Sequence, residues 1–166
     1  MNSREFGLAV AGATFLADQL SKMGLLYGLG LANMPPGQGV SVLPFFNLVM
    51  VWNPGISYGL FPATGPEGTV FLATFQLLAI CVLGWWLWFV KSRTLAIGLG
   101  LVIGGALGNL IDRLVYGKVA DFFHFYGLGY DWYVFNVADA AITLGVFALV
   151  YDALLKPDPP RESGKE

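Results

Sequence analysis

Charged side chains are scarce in this sequence, at only 12% of its 166 residues. Soluble domains typically carry about 25%, whereas apolar residues here reach 56%. The net charge of −2 is small, and no Lys/Arg-rich run could follow a phosphate backbone. This composition argues against a nucleic-acid partner and predicts a membrane protein of one domain.

Cysteine and histidine are almost absent as well. The single cysteine, Cys81, excludes an internal disulfide, and its apolar surroundings favour a small buried hydrophobe over a reactive thiol. One cysteine and one histidine, His124, cannot build a usual zinc site, although a carboxylate-bound metal stays open on counting alone. A Ser-His-Asp triad would have to use His124, and the sequence has no Gly-x-Ser-x-Gly elbow. Ser21 and Lys22 are adjacent and would point apart on a helix.

Four apolar stretches are long enough to cross a bilayer as helices. We predict spans at about 6–29, 70–90, 95–113 and 134–155, within one membrane domain over residues 1–156. The expected fold class is therefore an all-α membrane protein with four transmembrane helices. Residues 157–166 form a Pro-rich, charged tail. No convincing cleavage site follows the first stretch, which indicates a retained span rather than a signal peptide.

Basic residues fall on one side of such a four-span bundle. The opposite side has two longer connections, 30–69 and 114–133, in which Lys118 is the only lysine or arginine. The positive-inside rule places both termini in the cytoplasm and both longer connections outside. The basic residues on the cytoplasmic side are Arg4, Lys91, Arg93, Lys156, Arg161 and Lys165.

The first outer connection contains a candidate strand. Residues 45–52 are rich in β-formers and aromatics, and they lie between Pro44 and the turn signal Asn53-Pro54-Gly55. The same aromatics could instead form an interfacial belt that only anchors the protein.

Ionisable residues within spans need partners because a charge in the bilayer is costly. Asp18 and Lys22 stand at i and i+4, which predicts a pair on one helix face. This pair either orients the first helix or serves a site directly. In the third span, small residues that allow close helix contact recur every fourth position, at Gly100, Gly104 and Gly108.

Polar residues also collect at the outer ends of spans three and four. We expect a structural role for Asp112, and a structural or substrate-backbone role for Asn109 and Arg113. Two carboxylates lie near the same face, Asp121 in the loop before span four and Asp139 within it. The residues Asn136, Asp139 and Thr143 share one face of that helix.

Two carboxylates that share one proton can hydrolyse a peptide bond. The ionised group takes a proton from water, and the protonated group polarises the scissile carbonyl. A pair of outer-face aspartates could also mark a cation or proton path, as in a small transporter or channel. A third possibility is an assembly scaffold whose glycine stripe packs against a partner protein.

Several motifs occur in an order that resembles the lipoprotein signal peptidase family, signal peptidase II, over residues 14–150. Gly-Asn-x-x-Asp-Arg followed by Val-x-Asp-Phe and Asn-x-Ala-Asp at this spacing is highly specific. The sequence departs from the family pattern at Ile56-Ser57-Tyr58. The motifs are Asp18-Gln19-Leu20-Ser21-Lys22, Asn53-Pro54-Gly55, 104–113, 117–122 and Phe135-Asn136-Val137-Ala138-Asp139.

The resemblance implies a bacterial inner-membrane aspartic endopeptidase with an extracytoplasmic β-rich cradle between helices 1 and 2. Such enzymes cleave the signal peptide of a prolipoprotein just before a diacylglyceryl-modified cysteine, and globomycin-type cyclic lipopeptides inhibit them. By resemblance, Asp121 and Asp139 are the catalytic pair, at the extracytoplasmic face. We expect no metal and no cofactor. We also expect that the protein contacts membrane lipid and that it is a monomer. The residues expected to bind substrate or support the pair are Asn53, Gly55, Asn109, Arg113, Asn136, Asp18 and Lys22.

Overall fold

The structure is a computed structural model that describes residues 1–35, 38–55 and 65–155. The tail at 157–166 and the departure at 56–58 lie outside the described residues. The described chain forms four long helices and four strands. The helices are α1 (Ser3–Met23), α2 (Gly65–Phe89), α3 (Arg93–Tyr116) and α4 (Val137–Leu155). The strands are β1 (Gly39–Leu43), β2 (Phe46–Asn53), β3 (Val119–Gly127) and β4 (Tyr130–Asp131).

Among the described residues, three helices, α2, α3 and α4, are long and apolar enough to cross a membrane. Helix α2 exposes large apolar side chains along its length, among them Phe71, Phe75 and Trp85. In water such exposure would be unfavourable, whereas in a bilayer it places apolar surface against lipid. Cys81 is also exposed on α2. The prediction that it is buried was wrong, because an apolar run in a membrane helix faces lipid as readily as protein.

Helix α3 lies between α1 and α4 and touches both through glycine. A Cβ at Gly104 would collide with the carbonyl oxygen of Ala11 in α1. A Cβ at Gly105 would lie 2.6 Å from the carbonyl oxygen of Ala138 in α4. Close backbone approach replaces the hydrophobic effect as a source of helix association in lipid. The glycine stripe is thus covered by α1 of the same chain, and it is not free for the partner protein that a scaffold would need.

Gly104→Val is expected to destabilise the bundle by about 1–3 kcal/mol, because the new side chain must displace the backbone of α1. The matched control is Gly84→Val in α2, where nothing lies within 4 Å of an added Cβ. Both substitutions replace glycine by valine within a helix, so they change the intrinsic helix propensity by the same amount. Thermal unfolding in detergent should therefore show a lower midpoint for Gly104→Val only, and equal midpoints would contradict this packing.

The strands form one antiparallel sheet in the order β1-β2-β3-β4. Its first two strands come from the connection between α1 and α2, and the others come from the connection between α3 and α4. The β-rich region expected between helices 1 and 2 is present as β1 and β2, and the sheet extends beyond it through β3 and β4. Asp121 was expected in a loop, yet it lies in β3 opposite Val51. The backbone groups of β2 need a partner strand, and β3 supplies it.

The sheet is fixed to one end of the helical bundle by an apolar cluster. Leu26 lies in a π-helical turn, Gly24–Gly28, that continues α1, and Leu31 follows shortly after. Both side chains are buried against Ala120 and Phe122 of β3. This contact holds β3 beside the last turn of α1, and so it sets the position of Asp121 relative to the helices.

Candidate active site

Asp121 is buried under two amide side chains, with only 1% of its surface exposed. The Nδ2 of Asn136 donates to its Oδ1 at 2.7 Å, and the Nδ2 of Asn53 donates to its Oδ2 at 3.1 Å. Asn53 pairs with Val119 in the sheet, and Val51 pairs with Asp121. Asn53 and Asp121 are thus diagonal neighbours on one face of the β2–β3 ladder, where side chains reach each other.

Burial raises the pKa of the Asp121 carboxyl to about 8. Desolvation is the largest cause, and the negative charge of Asp139 raises the pKa further. Hydrogen bonds from Asn53 and Asn136 and the charge of Lys22 act in the opposite direction. Asp121 therefore holds a proton at neutral pH, as one member of an interacting pair of carboxyls.

Asp139 belongs to the first turn of α4 and is held by the start of that helix. Its backbone N–H donates to Oδ1 of Asn136 at 2.9 Å, and its own Oδ2 accepts from the N–H of Asn136 at 3.4 Å. This reciprocal arrangement is a capping box, which orients both side chains. Asn136 therefore touches both carboxyl groups, donating its amide to Asp121 and its backbone N–H to Asp139.

Asn109 of α3 donates its Nδ2 to Oδ1 of Asp139 at 2.9 Å. Its Oδ1 accepts from the Nζ of Lys22 and from the Nδ2 of Asn136, each at 3.1 Å. An amide whose oxygen receives two donors can present only its NH₂ to a third partner. The orientation of Asn109 is thus determined, and Asp139 receives a donor.

Lys22 stands at the centre of a buried ionic cluster behind these residues. Its Nζ lies 2.8 Å from Oδ2 of Asp18 and 2.8 Å from Oδ2 of Asp112, in addition to its bond to Asn109. An ammonium group has three donors, and all three find partners. Lys22, Asp18 and Asp112 are 3%, 0% and 2% exposed. The predicted pair of Asp18 and Lys22 is observed, and Asp112 joins it.

The two acids of this cluster hold the backbone next to each aspartate of the pair. Oδ1 of Asp18 accepts from the N–H of Ala138 at 2.9 Å, one residue before Asp139. Oδ2 of Asp112 accepts from the N–H of Ala120 at 3.1 Å, one residue before Asp121. Asp112 has the structural role expected of it. The ionic cluster thereby ties α1 and α3 to the two segments that carry the pair.

Arg113 lies on the other side of Asn109 and binds the Asn53-Pro54-Gly55 turn. Its Nη2 donates to the Gly55 carbonyl at 2.6 Å, and its Nη1 donates to Oε1 of Gln76 at 3.0 Å. Within the described part of the chain, its buried Nε–H has no hydrogen-bond partner. Oδ1 of Asn53 accepts from the N–H of Gly55 at 2.9 Å, which shapes the turn.

Gln76 was not anticipated as a site residue. Its Nε2 donates to the Ala106 carbonyl at 2.8 Å, so the side chain joins α2 to α3 while it holds Arg113. The available signal was that Gln76 is the one strongly polar residue in an otherwise apolar span.

Thr143 does not belong to the site. The hypothesis of a polar helix face with Asn136, Asp139 and Thr143 was wrong at its last member, because Thr143 is exposed and donates to the Asp139 carbonyl of its own helix. Asn136 itself precedes the first residue of α4 and caps the helix. Over the described ranges, no group of three His, Cys, Asp or Glu residues is arranged to hold a metal ion.

These features define a class of protein: a multi-pass membrane protein with two interacting aspartates at one end of its helical bundle, held by amides and a buried ionic cluster. The sequence model of the Signal peptidase (SPase) II family matches residues 10–155. The chain belongs to this family of membrane proteases that process lipoproteins.

Individual relatives and solved structures cover almost the whole chain. The lipoprotein signal peptidase of Rhodopseudomonas palustris strain CGA009 is 46% identical over 93% of this chain and 95% of its own length. The lipoprotein signal peptidase of Methylobacterium sp. strain 4-46 is 46% identical over 92% of this chain and 96% of its own length. A bacterial membrane enzyme determined by the in meso method at 2.3 Å resolution superposes with a TM-score of 0.77, at 26% identity. That match covers 96% of this chain and 93% of the other.

Proposed function

We propose that this chain is an aspartic endopeptidase that removes the signal peptide from prolipoproteins by cleaving before a diacylglyceryl-modified cysteine. The name of its relatives, lipoprotein signal peptidase, supports the substrate class. The observation that carries the chemistry is the contact of Asn136 with both carboxyls, Asp121 and Asp139. Two carboxyls held by one residue can share a proton and act on one water molecule.

In the proposed reaction, Asp139 takes a proton from the water that attacks the scissile carbonyl. Asp121, which is protonated at neutral pH, donates a hydrogen bond to the carbonyl oxygen as negative charge develops there. The resulting tetrahedral carbon then loses the leaving nitrogen, which receives a proton from the pair. The free signal peptide carboxylate and a new amine at the modified cysteine are the products, so no metal or cofactor is consumed.

Residues around the pair have supporting roles in this proposal. Asn53 and Asn136 hold Asp121, and Asn109 holds Asp139. The buried Nε–H of Arg113 is a donor that a substrate backbone carbonyl could accept, because a buried N–H without a partner is costly. Gly55, whose carbonyl binds Arg113, keeps that side chain in place.

We further propose that α1 is a fourth span and that the pair faces the extracytoplasmic side of the bacterial inner membrane. The charges of Asp18 and Lys22 are turned into the protein, so α1 presents residues such as Leu8, Leu16 and Leu20 outward. The basic residues at the opposite end of the bundle favour cytoplasmic termini. A lipid-modified cysteine then stays at the interface, where lipid burial positions the scissile bond beside the pair.

The proposal is tested with the purified chain in detergent and two substrates, a diacylglyceryl-modified prolipoprotein and the same polypeptide with an unmodified cysteine. Intact-mass measurement is expected to detect a product that begins at the modified cysteine, and none from the unmodified substrate. A globomycin-type lipopeptide is expected to block the reaction. Equal cleavage of both substrates would refute the lipid requirement, and cleavage of neither would refute the activity.

Alkaline pH is expected to lower activity, because Asp121 must carry a proton. Its pKa is about 8, so the carboxyl is protonated below that pH and charged above it. A log–log profile of kcat/KM should therefore fall on the alkaline side of about pH 8, with a slope approaching tenfold per pH unit.

Asn53→Val serves as the matched variant for this profile. It keeps a side chain of similar size but removes the amide donor of Asn53. The hydrogen bond from that donor lowers the pKa of Asp121, so its loss should raise the pKa. The alkaline fall should therefore move to higher pH. Thermal unfolding at each pH separates titration from loss of fold. A flat profile up to the pH at which the protein unfolds would show that Asp121 has no required proton.

A further inference from the structure

A cleft lies at the end of the bundle opposite the aspartates, where α1 and α3 begin. It has a volume of about 660 Å³, and its lining includes Arg4, Trp88, Lys91 and Arg93. The Oγ of Ser3 donates to the Lys91 carbonyl at 2.7 Å, which joins the start of α1 to the α2–α3 connection. The cleft is thus formed by elements that are tied together, and three of its lining side chains are cationic.

Aromatic rings position the two arginines. The guanidinium carbon of Arg4 lies 4.0 Å from the ring centroid of Trp88, and that of Arg93 lies 5.9 Å from the ring of Phe6. A guanidinium over a ring face keeps its N–H donors in its own plane, where they can reach an anion. The two arginines are therefore held in place without using those donors.

Acidic partners for these cations are missing from the described residues, where the salt bridges involve only Lys22 and His124. Two acids lie near the cleft: Glu5 follows Arg4 in the sequence, and Asp152 contacts Ser92, the residue before Arg93. Both acids have hydrogen-bond partners of their own. Both oxygens of Glu5 accept hydrogen bonds from Asn2, and Asp152 accepts from the Oγ of Ser92 at 2.7 Å. The cleft thus collects positive charge, to which the N-terminal dipoles of α1 and α3 add.

The cleft lies at the level of the membrane surface. Helices α2 and α3 are both able to cross a membrane, and α2 ends at Phe89 while α3 begins at Arg93. A connection this short must stay close to the bilayer boundary. Trp88 and Phe89 are 60% and 63% exposed beside it, which is typical of side chains at headgroup depth. The anions concentrated at this depth of a membrane are the phosphates of lipid headgroups.

We propose that this cleft binds the headgroup phosphate of an anionic phospholipid from the surrounding membrane. Arg4, Lys91 and Arg93 bind the phosphate, and the acyl chains lie along the exposed apolar surface of α2. Basic pockets beside membrane helices bind anionic headgroups in this way. The site is separate from the aspartate pair, so its existence does not depend on the proposed peptidase activity.

The test is native mass spectrometry of the full chain in detergent with equimolar phosphatidylglycerol and phosphatidylcholine. We expect the lipid-bound forms to favour phosphatidylglycerol by at least about fivefold. The double variant Arg4→Gln/Arg93→Gln should reduce this preference to near unity. Lys118→Gln is the matched control, because Lys118 also lies over an aromatic ring, Trp52, but outside the cleft. It should keep the full preference.

A second measurement covers the case in which the double variant does not fold. Thermal unfolding of the unaltered chain is expected to shift upward with phosphatidylglycerol, and much less with phosphatidylcholine. Inorganic phosphate at the same concentration should produce no shift. Equal shifts with both lipids, a full shift with inorganic phosphate alone, or an undiminished preference in a folded double variant would each overturn the proposal.

Discussion

Asp121→Asn and Asp139→Asn are each expected to reduce kcat/KM for a diacylglyceryl-modified prolipoprotein by roughly 10³- to 10⁴-fold. Asparagine keeps the size of aspartate, but it can neither take a proton from water nor hold the proton that the pair shares. The two losses should not add in the double variant, because residues that act as one unit fail together. The measurement is initial-rate cleavage, followed by the mass of the released product.

Folding of these variants is the main point to control. Asp131→Asn makes the same chemical change in β4, where the carboxyl is 82% exposed and lies 3.4 Å from the Nε2 of His124. It should leave both activity and unfolding temperature unchanged. If either Asp121→Asn or Asp139→Asn keeps its unfolding temperature and also keeps substantial activity, the pair is not the catalytic group.

The two substitutions should each destabilise the protein modestly, for different physical reasons. Asp121 is almost fully buried, and its pKa is about 8, so an uncharged amide replaces a carboxyl that already holds a proton at neutral pH. The Nδ2 of the introduced asparagine would, however, face an amide donor, since both oxygens of Asp121 accept hydrogen bonds from amides. Asp139 is half-buried and accepts from the start of its own helix, so Asp139→Asn weakens a cap. Modest destabilisation is expected in both variants, and it is too small to account for the loss in kcat/KM.

Local spacing in the sequence predicted the contacts that form within one helix. The i, i+4 spacing of Asp18 and Lys22 predicted their ion pair, which is observed at 2.8 Å. The glycines of the third span predicted close helix contact, and Gly104 packs against α1. In each case, helix geometry alone fixes which side chains share a face.

Contacts between distant segments could not be obtained in the same way. Nothing in local spacing indicates that Asp112 approaches Lys22, or that Asp18 binds the N–H of Ala138. The strand around Asp121 was also missed, because pairing with β2 rather than local propensity decides its conformation. The capping role of Asn136 was missed because its spacing to Asp139 fits a helix face as well as a cap.

Lys22→Met is expected to have the largest effect on stability of any single change considered, about 3–5 kcal/mol. The change removes one cation and leaves two carboxylates, those of Asp18 and Asp112, buried without it. Methionine nearly matches the length of lysine, so the loss reports charge rather than volume. Thermal or denaturant unfolding in detergent measures the effect. Lys118→Met is the matched control, because Lys118 is exposed and should tolerate the change.

Neutralising the two acids should restore much of this stability. In the triple variant Lys22→Met/Asp18→Asn/Asp112→Asn, no unpaired charge stays buried, whereas Asp18→Asn/Asp112→Asn alone leaves Lys22 without either carboxylate. A triple variant more stable than Lys22→Met identifies charge compensation as the cause. If Lys22→Met unfolds at the same temperature as the unaltered chain, the ionic cluster is not a source of stability.

Activity in the triple variant separates folding from positioning. The carboxylates of Asp18 and Asp112 hold the N–H groups of Ala138 and Ala120, each one residue before an aspartate of the pair. Asparagine oxygens can still accept those bonds, but Asn109 loses the Lys22 donor that fixes its amide. We therefore expect kcat to stay low after stability returns, with KM little changed. Full recovery of kcat together with stability would show that Lys22 serves the fold alone.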